Sequence, residues 1–276
     1  MAPMNNRLLV PTQPPGILDF APGAAAAYSL RNLSRSYAGP VVTVRRSSDD
    51  AEDDFTAAEV ADGTLAAFCG GGDGFVYRWW DQSGNARHAI APADASEPQI
   101  VDAGVVILEE SKPAIRLDGT DDVLATSSSD LPRFENLGGF LVVTLGGAGL
   151  QRIIQRRNDI TGDGWQVREL GKTVSLFVDT TSTDDATGGT TTSAQTLMYF
   201  GFDGTTISVR LNGYDYAQET HTNPGVISPS TIPIYIGRAS NASQFFSGNM
   251  QEIVLYENAL TTQVERIEGN IAWSFS

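Results

Sequence analysis

The sequence predicts an all-β protein built as an antiparallel sandwich, for three reasons. Short β-branched or aromatic runs recur along most of the chain, with turn-forming residues between them. Almost no helical periodicity separates these runs, which disfavours a parallel α/β sheet. The 276 residues are 41% hydrophobic, enough for a sizeable core. We therefore expect two packed sheets, preceded by an extended arm and followed by a short helix.

Residues 1–22 are predicted to form that arm, ahead of one domain at residues 23–276. Five prolines and Gly16 interrupt the arm, and prolines at this density disfavour both a helix and a central strand. Apolar patches at 8–10 and 17–18 would anchor it. The anchor would lie either on a neighbouring protein or on the arm's own domain, and the sequence leaves both open.

The aromatic stretch from Gly74 to Asn85 is predicted to be a strand that runs into a polar Ser-Gly-Asn turn. Large apolar groups on both faces suit a strand that is central in a sandwich or lines a groove. Side chains alternate between the two faces of a strand. Alternation places Phe75, Tyr77 and Trp79 on one face and Val76, Arg78 and Trp80 on the other.

The other strands are predicted from short β-branched or apolar runs bounded by turn residues. Gly171-Lys172 between two of them predicts a tight hairpin. The runs lie at residues 41–46, 105–108, 114–117, 140–145, 152–155, 166–170, 174–178, 196–202, 206–211, 232–236 and 251–256.

Three further segments complete the secondary-structure prediction. Residues 24–31 fit either a short helix or the start of a strand. The Thr-, Ser-, Gly- and Asp-rich segment at 180–192 predicts a long surface loop. A closing helix is predicted at 262–273, because Val264, Ile267 and Ile271 would lie on one face of it.

Charge and cysteine content limit the partners and the compartment. The formal net charge of −15 argues against a nucleic-acid or anionic-membrane partner. The single cysteine, Cys69, excludes an internal disulfide. The opening residues, Met1 to Val10, lack the apolar segment of a secretory signal. We expect synthesis in a reducing cytosol and no membrane span.

Acidic clusters raise the question of a metal site. Asp159 to Gly164 is similar to a fragment of a calcium loop, but a hairpin turn is the favoured interpretation. Asp118, Asp121 and Asp122 are likewise interpreted as turn residues that bind local backbone groups. His88 and His221 with one cysteine form no zinc set of the usual spacing. We expect no cofactor, with calcium as the alternative.

Several segments resemble known families. The turn at Pro113 to Val123, the hairpin at Phe202 to Gly213 and the closing stretch between Ile236 and Thr261 resemble laminin G-like, concanavalin A-like jelly rolls. The earlier part, from Ala27 to Asn85, resembles the catalytic domain of α-L-arabinofuranosidase B and phage virion proteins that carry this domain. The resemblance implies a two-sheet concanavalin A-like jelly roll with a link to carbohydrate.

The resemblance also implies where a hydrolase would hold its catalytic carboxyl groups. Hydrolysis needs one ionised and one protonated carboxyl across the scissile bond. The family's acid/base aspartate lies in a Gly-Gly-Asp segment, where this sequence has Gly237-Arg238-Ala239. Its nucleophilic glutamate lies on a middle strand, in a region where this sequence has Gln166 to Glu169. Because loss of one member of such a pair removes most of the rate, we expect no catalytic residues.

Sugar binding remains as the predicted activity. Proteins hold sugars by stacking aromatic faces on the ring and by hydrogen-bonding the hydroxyls with amides and carboxylates. The alternative is that the tryptophans fill the core and the polar residues fix a turn. The candidate sugar-binding residues are Trp79, Trp80, Asp81, Gln82 and Asn85.

Two functional hypotheses follow. The first is a bacteriophage virion structural or decoration protein, on tail or head. Its jelly roll would bind host cell-surface polysaccharide, and its arm would dock on other virion proteins. We expect a homo-oligomer located in the virion and made in the host cytoplasm. The alternative is an arabinofuranosidase-like glycoside hydrolase, which would release sugar from an aryl arabinofuranoside.

Overall fold

The computed structural model of the chain describes residues 15–127, 133–147, 149–191 and 194–275. The helices are α1 Ile17–Phe20, α2 Ala57–Ala61, α3 Thr64–Cys69 and α4 Val264–Phe275. The strands are β1 Ala26–Ser29, β2 Val42–Arg46, β3 Glu52–Phe55, β4 Gly74–Trp79, β5 Ala89–Ile90, β6 Gln99–Asp102, β7 Val105–Val106, β8 Leu108–Glu109, β9 Lys112–Pro113, β10 Ile115–Asp118, β11 Leu124–Ala125, β12 Leu137–Leu145, β13 Leu150–Arg157, β14 Gly164–Leu170, β15 Thr173–Asp179, β16 Thr183–Thr190, β17 Thr196–Phe202, β18 Thr206–Leu211, β19 Tyr214–Thr220, β20 Tyr235–Ile236 and β21 Ser247–Tyr256.

The strands form two packed antiparallel sheets. The first, which we call the open sheet, has the order β3-β2-β4-β5-β11-β20-β13-β14-β15-β16. The second, which we call the covered sheet, has the order β19-β18-β17-β12-β21, and β1 and β10 pair with the two halves of β21. Strand β6 pairs with both β10 and β4 and so joins the two sheets. The predicted antiparallel sandwich of the concanavalin A-like jelly-roll type is confirmed.

The main core lies between the two sheets, and a second apolar layer lies outside the covered sheet. Buried residues of both sheets, such as Phe200 and Trp165, form the main core. In the second layer Ile267 and Ile271 of α4 pack on Val254 of β21. The predicted apolar face of the closing helix is therefore confirmed. In the described part of the chain, no helix has the length and apolar character needed to cross a bilayer.

Each predicted strand overlaps a strand of the structure. The hairpin at Gly171-Lys172 is confirmed, because β14 and β15 pair around it and both residues have positive φ, at 58° and 68°. Residues 26–29, where the sequence left helix and strand open, form β1.

The predicted loop at 180–192 is wrong, because Thr183–Thr190 forms the edge strand β16. The glycines that suggested a loop allow close approach instead. A Cβ on Gly189 would lie 1.9 Å from the Tyr216 ring of β19, and one on Gly188 would lie 2.8 Å from Val209 of β18. The edges of the two sheets therefore meet at these glycines.

The described part of the predicted arm packs on its own domain. Residues 17–20 form α1, although the proline density predicted no helix, because this stretch lies between the prolines and contains none. Ile17 is fully buried in the layer beneath α4. The backbone N–H of Leu18 donates to Leu33 O at 2.9 Å. Residues 1–14 of the arm lie outside the described residues.

Candidate functional site

A row of register partners crosses the outer face of the open sheet from edge to edge. Directly paired residues of antiparallel strands have their side chains on the same face. The residues that alternate with them, such as Leu176 and Ile236, lie in the main core, so this row points away from it. We call it the cross-strand row: Asp54, Thr43, Arg78, Ile90, Ala125, Tyr235, Gln155, Gln166, Phe177 and Asp185.

The middle of the row combines aromatic rings with amides. Gln155 and Gln166 pair directly, with Tyr235 on one side and Phe177 on the other. Both glutamines are buried, and the Oε1 atom of each has no hydrogen-bond partner among the described residues. A buried amide oxygen without a donor is costly. The two buried amide oxygens therefore lie between two half-exposed rings, and those rings can stack on a sugar.

Trp79 is a core side chain rather than part of this face. The alternation predicted for β4 is wrong, because the register with β2 shifts between Thr43 and Val44. Tyr77 is the extra residue of this β-bulge, so Val76 and Trp79 both point into the core. Trp79 is fully buried, and its ring lies 5.7 Å from that of Tyr28.

Asp81, Gln82 and Asn85 bind the backbone of the segment around β1. Asp81 accepts from the N–H of Ala27 at 2.8 Å, and Asn85 Nδ2 donates to Ala24 O at 2.9 Å. Gln82 Oε1 accepts from the N–H of Leu33, and its Nε2 donates to Ser29 O and Arg31 O. These polar groups fix the turn after β4, which was the alternative interpretation, and their sugar-binding role stays a prediction.

Trp80 is the predicted candidate that lies beside the cross-strand row. Its ring is half-buried, 4.5 Å from the ring of His88 and 4.8 Å from the guanidinium of Arg78. Its Nε1 donates to Thr43 Oγ1, another residue of the row, at 3.0 Å. Trp80 therefore extends the aromatic and polar surface toward the β2 end of the open sheet.

The central residues of the row were not predicted as site residues. Gln155, Gln166 and Phe177 fell within predicted strands, and Tyr235 within another run distant in sequence. A signal was present in β14, where Gln166 and Arg168 alternate with the apolar Trp165 and Val167. Polar residues that alternate with a core face mark a face toward solvent or ligand.

The two positions that the resemblance ties to catalysis do not form a pair on this face. Glu169 alternates with the row and is fully buried on the core side, where its Oε1 accepts from the N–H of Lys172 at 3.1 Å. Burial raises the pKa of Glu169 to about 7, against the opposing effect of Lys172. The other position is Arg238, whose guanidinium lies 4.9 Å above the ring of Tyr235.

Asp159 lies near the row, on the loop after β13. It accepts hydrogen bonds from Gln155 Nε2 and from both the N–H and the hydroxyl of Ser240. Burial by itself would raise the pKa of Asp159, but these bonds and the charge of Arg152 hold that pKa below its ordinary value. An ionised Asp159 has no proton to give a leaving group at neutral pH.

The predicted turn aspartates do converge. Ligand atoms of Asp118, Asp121 and Asp122 lie within 4.8 Å of one another. Asp122 accepts from the N–H of Asp118 at 2.8 Å, and Asp118 accepts from that of Thr120 at 2.7 Å. Burial, followed by the Asp118 and Asp121 charges, raises the pKa of Asp122 to about 7, although the Asp118 N–H opposes this. These contacts are those of a turn, and calcium binding stays a prediction.

The fold assigns the chain to a structural class before it is compared with individual proteins. The chain has the concanavalin A-like jelly-roll fold. Residues 147–264 match the sequence profile of the concanavalin A-like lectin/glucanases superfamily. Residues 19–111 match that of the α-L-arabinofuranosidase B catalytic domain. Each profile covers less than half of the chain, and a search of curated proteins found no match.

Solved structures with this fold include enzymes and toxins. A GH54 α-L-arabinofuranosidase soaked with a cyclic sulfate inhibitor superposes with a TM-score of 0.69 at 14% identity, over 90% of this chain and 62% of that chain. An arabinofuranosidase complexed with arabinofuranosyl-α-1,2-xylobiose gives a TM-score of 0.67 at 14% identity, with the same coverage. The botulinum neurotoxin serotype D ligand binding domain, in complex with N-acetylneuraminic acid, gives 0.53 at 9%, over 86% and 50%. The chain thus spans about three fifths of the length of these arabinofuranosidases.

Proposed function

We propose that this chain is a glycan-binding jelly roll of a phage virion, which binds sugar on the outer face of its open sheet without hydrolysing it. The observation that carries this proposal is the centre of the cross-strand row. There Gln155 and Gln166 place unpartnered amide oxygens between the rings of Tyr235 and Phe177. Flat aromatic faces and amides are the groups with which proteins bind sugars.

The two positions that the resemblance ties to catalysis support binding without hydrolysis. Retaining and inverting glycosidases hold a carboxyl pair about 5–10 Å apart across the sugar. Here Glu169 faces the core and residue 238 is an arginine, so these positions supply no such pair. On the open face, two residues from Arg168, β14 carries the amide of Gln166 and not a carboxyl group.

Sugar binding is tested with a glycan array and two tyrosine variants. Tyr235→Ala removes a ring from the centre of the row and should weaken binding about tenfold. Tyr214→Ala is the matched control, because Tyr214 is 73% exposed on β19 of the covered sheet. Equal binding by wild type and Tyr235→Ala, or equal loss in both variants, would contradict the proposed face.

Incubation with 4-nitrophenyl α-L-arabinofuranoside tests the proposal that the chain does not hydrolyse sugar. We expect no release of nitrophenol above the rate of the buffer. Release that Glu169→Gln abolishes would replace the proposal with the hydrolase alternative. Release that survives Glu169→Gln would point to a different carboxyl group, one that lies on the open face.

The virion location is supported by the resemblance to phage proteins and by the proline-rich start of the chain. Of the arm, residues 1–22, the apolar patch at 8–10 would dock on other virion proteins, because the patch at 17–18 packs on the chain's own domain. The protein would assemble as a homo-oligomer. Mass spectrometry of gradient-purified particles should detect the chain at a fixed ratio to capsid protein. Light scattering of the purified chain measures its oligomeric state. A chain that stays in the soluble lysate fraction would refute the virion location.

A further inference from the structure

Two arginines face each other next to the cross-strand row. Arg152 of β13 and Arg168 of β14 are direct register partners, and Arg168 lies two residues from Gln166 on the same face. Like charges directly opposite on neighbouring strands are destabilising. Arg152 is only 6% exposed, so water screens this pair poorly.

Three donor nitrogens of this pair lack partners among the described residues. Nε and Nη1 of Arg152, and Nε of Arg168, are buried and have no hydrogen bond to the described residues. Nε of the nearby Arg157 is in the same state. The ring of Phe177 lies 3.8 Å from the Arg168 guanidinium and holds its plane, but supplies no acceptor.

Other arginines of the chain form close ion pairs with glutamates. Arg31 meets Glu252 at 2.7 Å, Arg45 meets Glu97 at 2.8 Å and Arg210 meets Glu268 at 3.0 Å. Among the described residues, Arg152 and Arg168 have no ion pair of this kind. The contrast shows that neither arginine has a hydrogen-bonded acidic partner among these residues, although Asp159 and Asp185 lie near enough to favour the charged forms of Arg152 and Arg168.

The nearby acidic groups are already engaged. Asp159 lies 3.7 Å from Arg157 but accepts three hydrogen bonds from Gln155 and Ser240. Asp185 accepts from Thr187 at 2.7 Å. Burial lowers the pKa of Arg152 to about 10; Asp159 opposes this and Arg168 and Arg157 reinforce it. Arg152 is therefore charged at neutral pH.

We propose that Arg152 and Arg168 bind the carboxylate of an acidic sugar, while the adjoining part of the glycan lies on the cross-strand row. The proposal rests on the proposed glycan-binding function and names its substrate class. A guanidinium presents parallel N–H donors that match a carboxylate, and such charge-assisted bonds are stronger than neutral ones. The site thus offers a positive surface within a chain of net charge −15.

Thermal unfolding at constant ionic strength tests the proposal with three acidic sugars, galacturonate, glucuronate and N-acetylneuraminate. The uncharged methyl ester of each sugar isolates the carboxylate, and inorganic phosphate tests a simple oxyanion. At ten times its dissociation constant, the preferred acid should raise the unfolding midpoint by about 3 °C. Its ester should give less than a third of that shift.

The variants are Arg152→Met and Arg168→Gln, with Arg266→Gln on α4 as the control. Both site variants should lose the shift, and Arg266→Gln should keep it. Arg152→Met removes a buried, unpaired charge, so its midpoint without ligand should equal or exceed that of the wild type. A lower midpoint with an unchanged ligand shift would assign Arg152 a structural role and overturn the proposal.

Three further outcomes overturn it. Equal shifts with acid and ester would leave glycan binding in place and remove the carboxylate site. A shift with phosphate alone would show an oxyanion site that is not a sugar site. Glycan-array binding confined to neutral sugars, with no shift from any acid, would refute this inference while the proposed function stands.

Discussion

The outer faces of the two sheets differ in the residues they carry and in whether a helix covers them. On the covered sheet many of the outward side chains are apolar, among them Phe140, Tyr199 and Val254, and α4 packs over them. On the open sheet the outward residues include amides, arginines, aspartates and aromatic rings, and no described helix covers them. One face contributes to stability through apolar burial beneath a helix, while the other buries amide and guanidinium groups that lack partners among the described residues. The comparison separates the residues that hold the fold from those proposed to bind a glycan.

The sharpest test places the same charge on both faces. Val254→Asp buries a carboxylate beneath α4, where Val254 is 0% exposed, and should cost more than about 4 kcal/mol of unfolding free energy. Phe177→Asp puts a carboxylate on the half-exposed open face beside Arg168 and should change stability by about 1 kcal/mol or less. Urea unfolding measures both. Similar losses in the two variants would show that the open face is also a structural face.

A smaller effect is expected from trimming the helix layer. Ile267→Ala removes a fully buried side chain from α4 and should cost about 2–4 kcal/mol. Glu265→Ala on the exposed side of the same helix is the control, within about 0.5 kcal/mol of the wild type. Equal midpoints for the two variants would mean that α4 adds little to the fold.

A pH-dependent effect comes from the core side of the open sheet. The folded-state pKa of Glu169, about 7, lies above its unfolded value, so its contribution to stability is present in acid and is lost as the pH rises through about 7. Glu169→Gln should match the wild type near pH 4 and be more stable near pH 8 by about 1–3 kcal/mol. Urea unfolding at both pH values measures this. A variant that is less stable at alkaline pH would contradict the assignment.

The smallest effect concerns a polar pair on the open face. The hydroxyls of Ser175 and Thr187 lie 3.0 Å apart on β15 and β16. Each alanine variant should stay within about 0.5 kcal/mol of the wild type, with a coupling of about 0.2–1 kcal/mol in the double variant. A double-mutant cycle by chemical unfolding measures it. A large loss in either single variant would give this face more structural weight than one hydroxyl–hydroxyl hydrogen bond accounts for.

Local signals in the sequence were sufficient for the elements but not for the site. The hairpin at Gly171-Lys172 and the apolar face of α4 follow from turn chemistry and helical period, and both are present. The bulge at Tyr77 depends on pairing with β2, which no local pattern specifies. For the same reason the aromatic stretch predicted a platform at Trp79, which is in fact a core residue.

The site itself depends on long-range register. Tyr235, Gln155 and Gln166 come from separate parts of the chain and meet only because β20, β13 and β14 pair in one register. At β16 composition alone predicted a loop, but the threonines and glycines there form an edge strand. Sequence alone can thus assign polar residues to an outward face of a strand, but not determine which strands place them side by side.

Strand β6 has a mechanical consequence. Because it is hydrogen-bonded to β10 and to β4, the two layers cannot slide past each other without breaking backbone bonds. A pull on a molecule attached to the outside of β14 would therefore be transmitted through backbone hydrogen bonds to the helix-bearing layer, and not only through side-chain contacts.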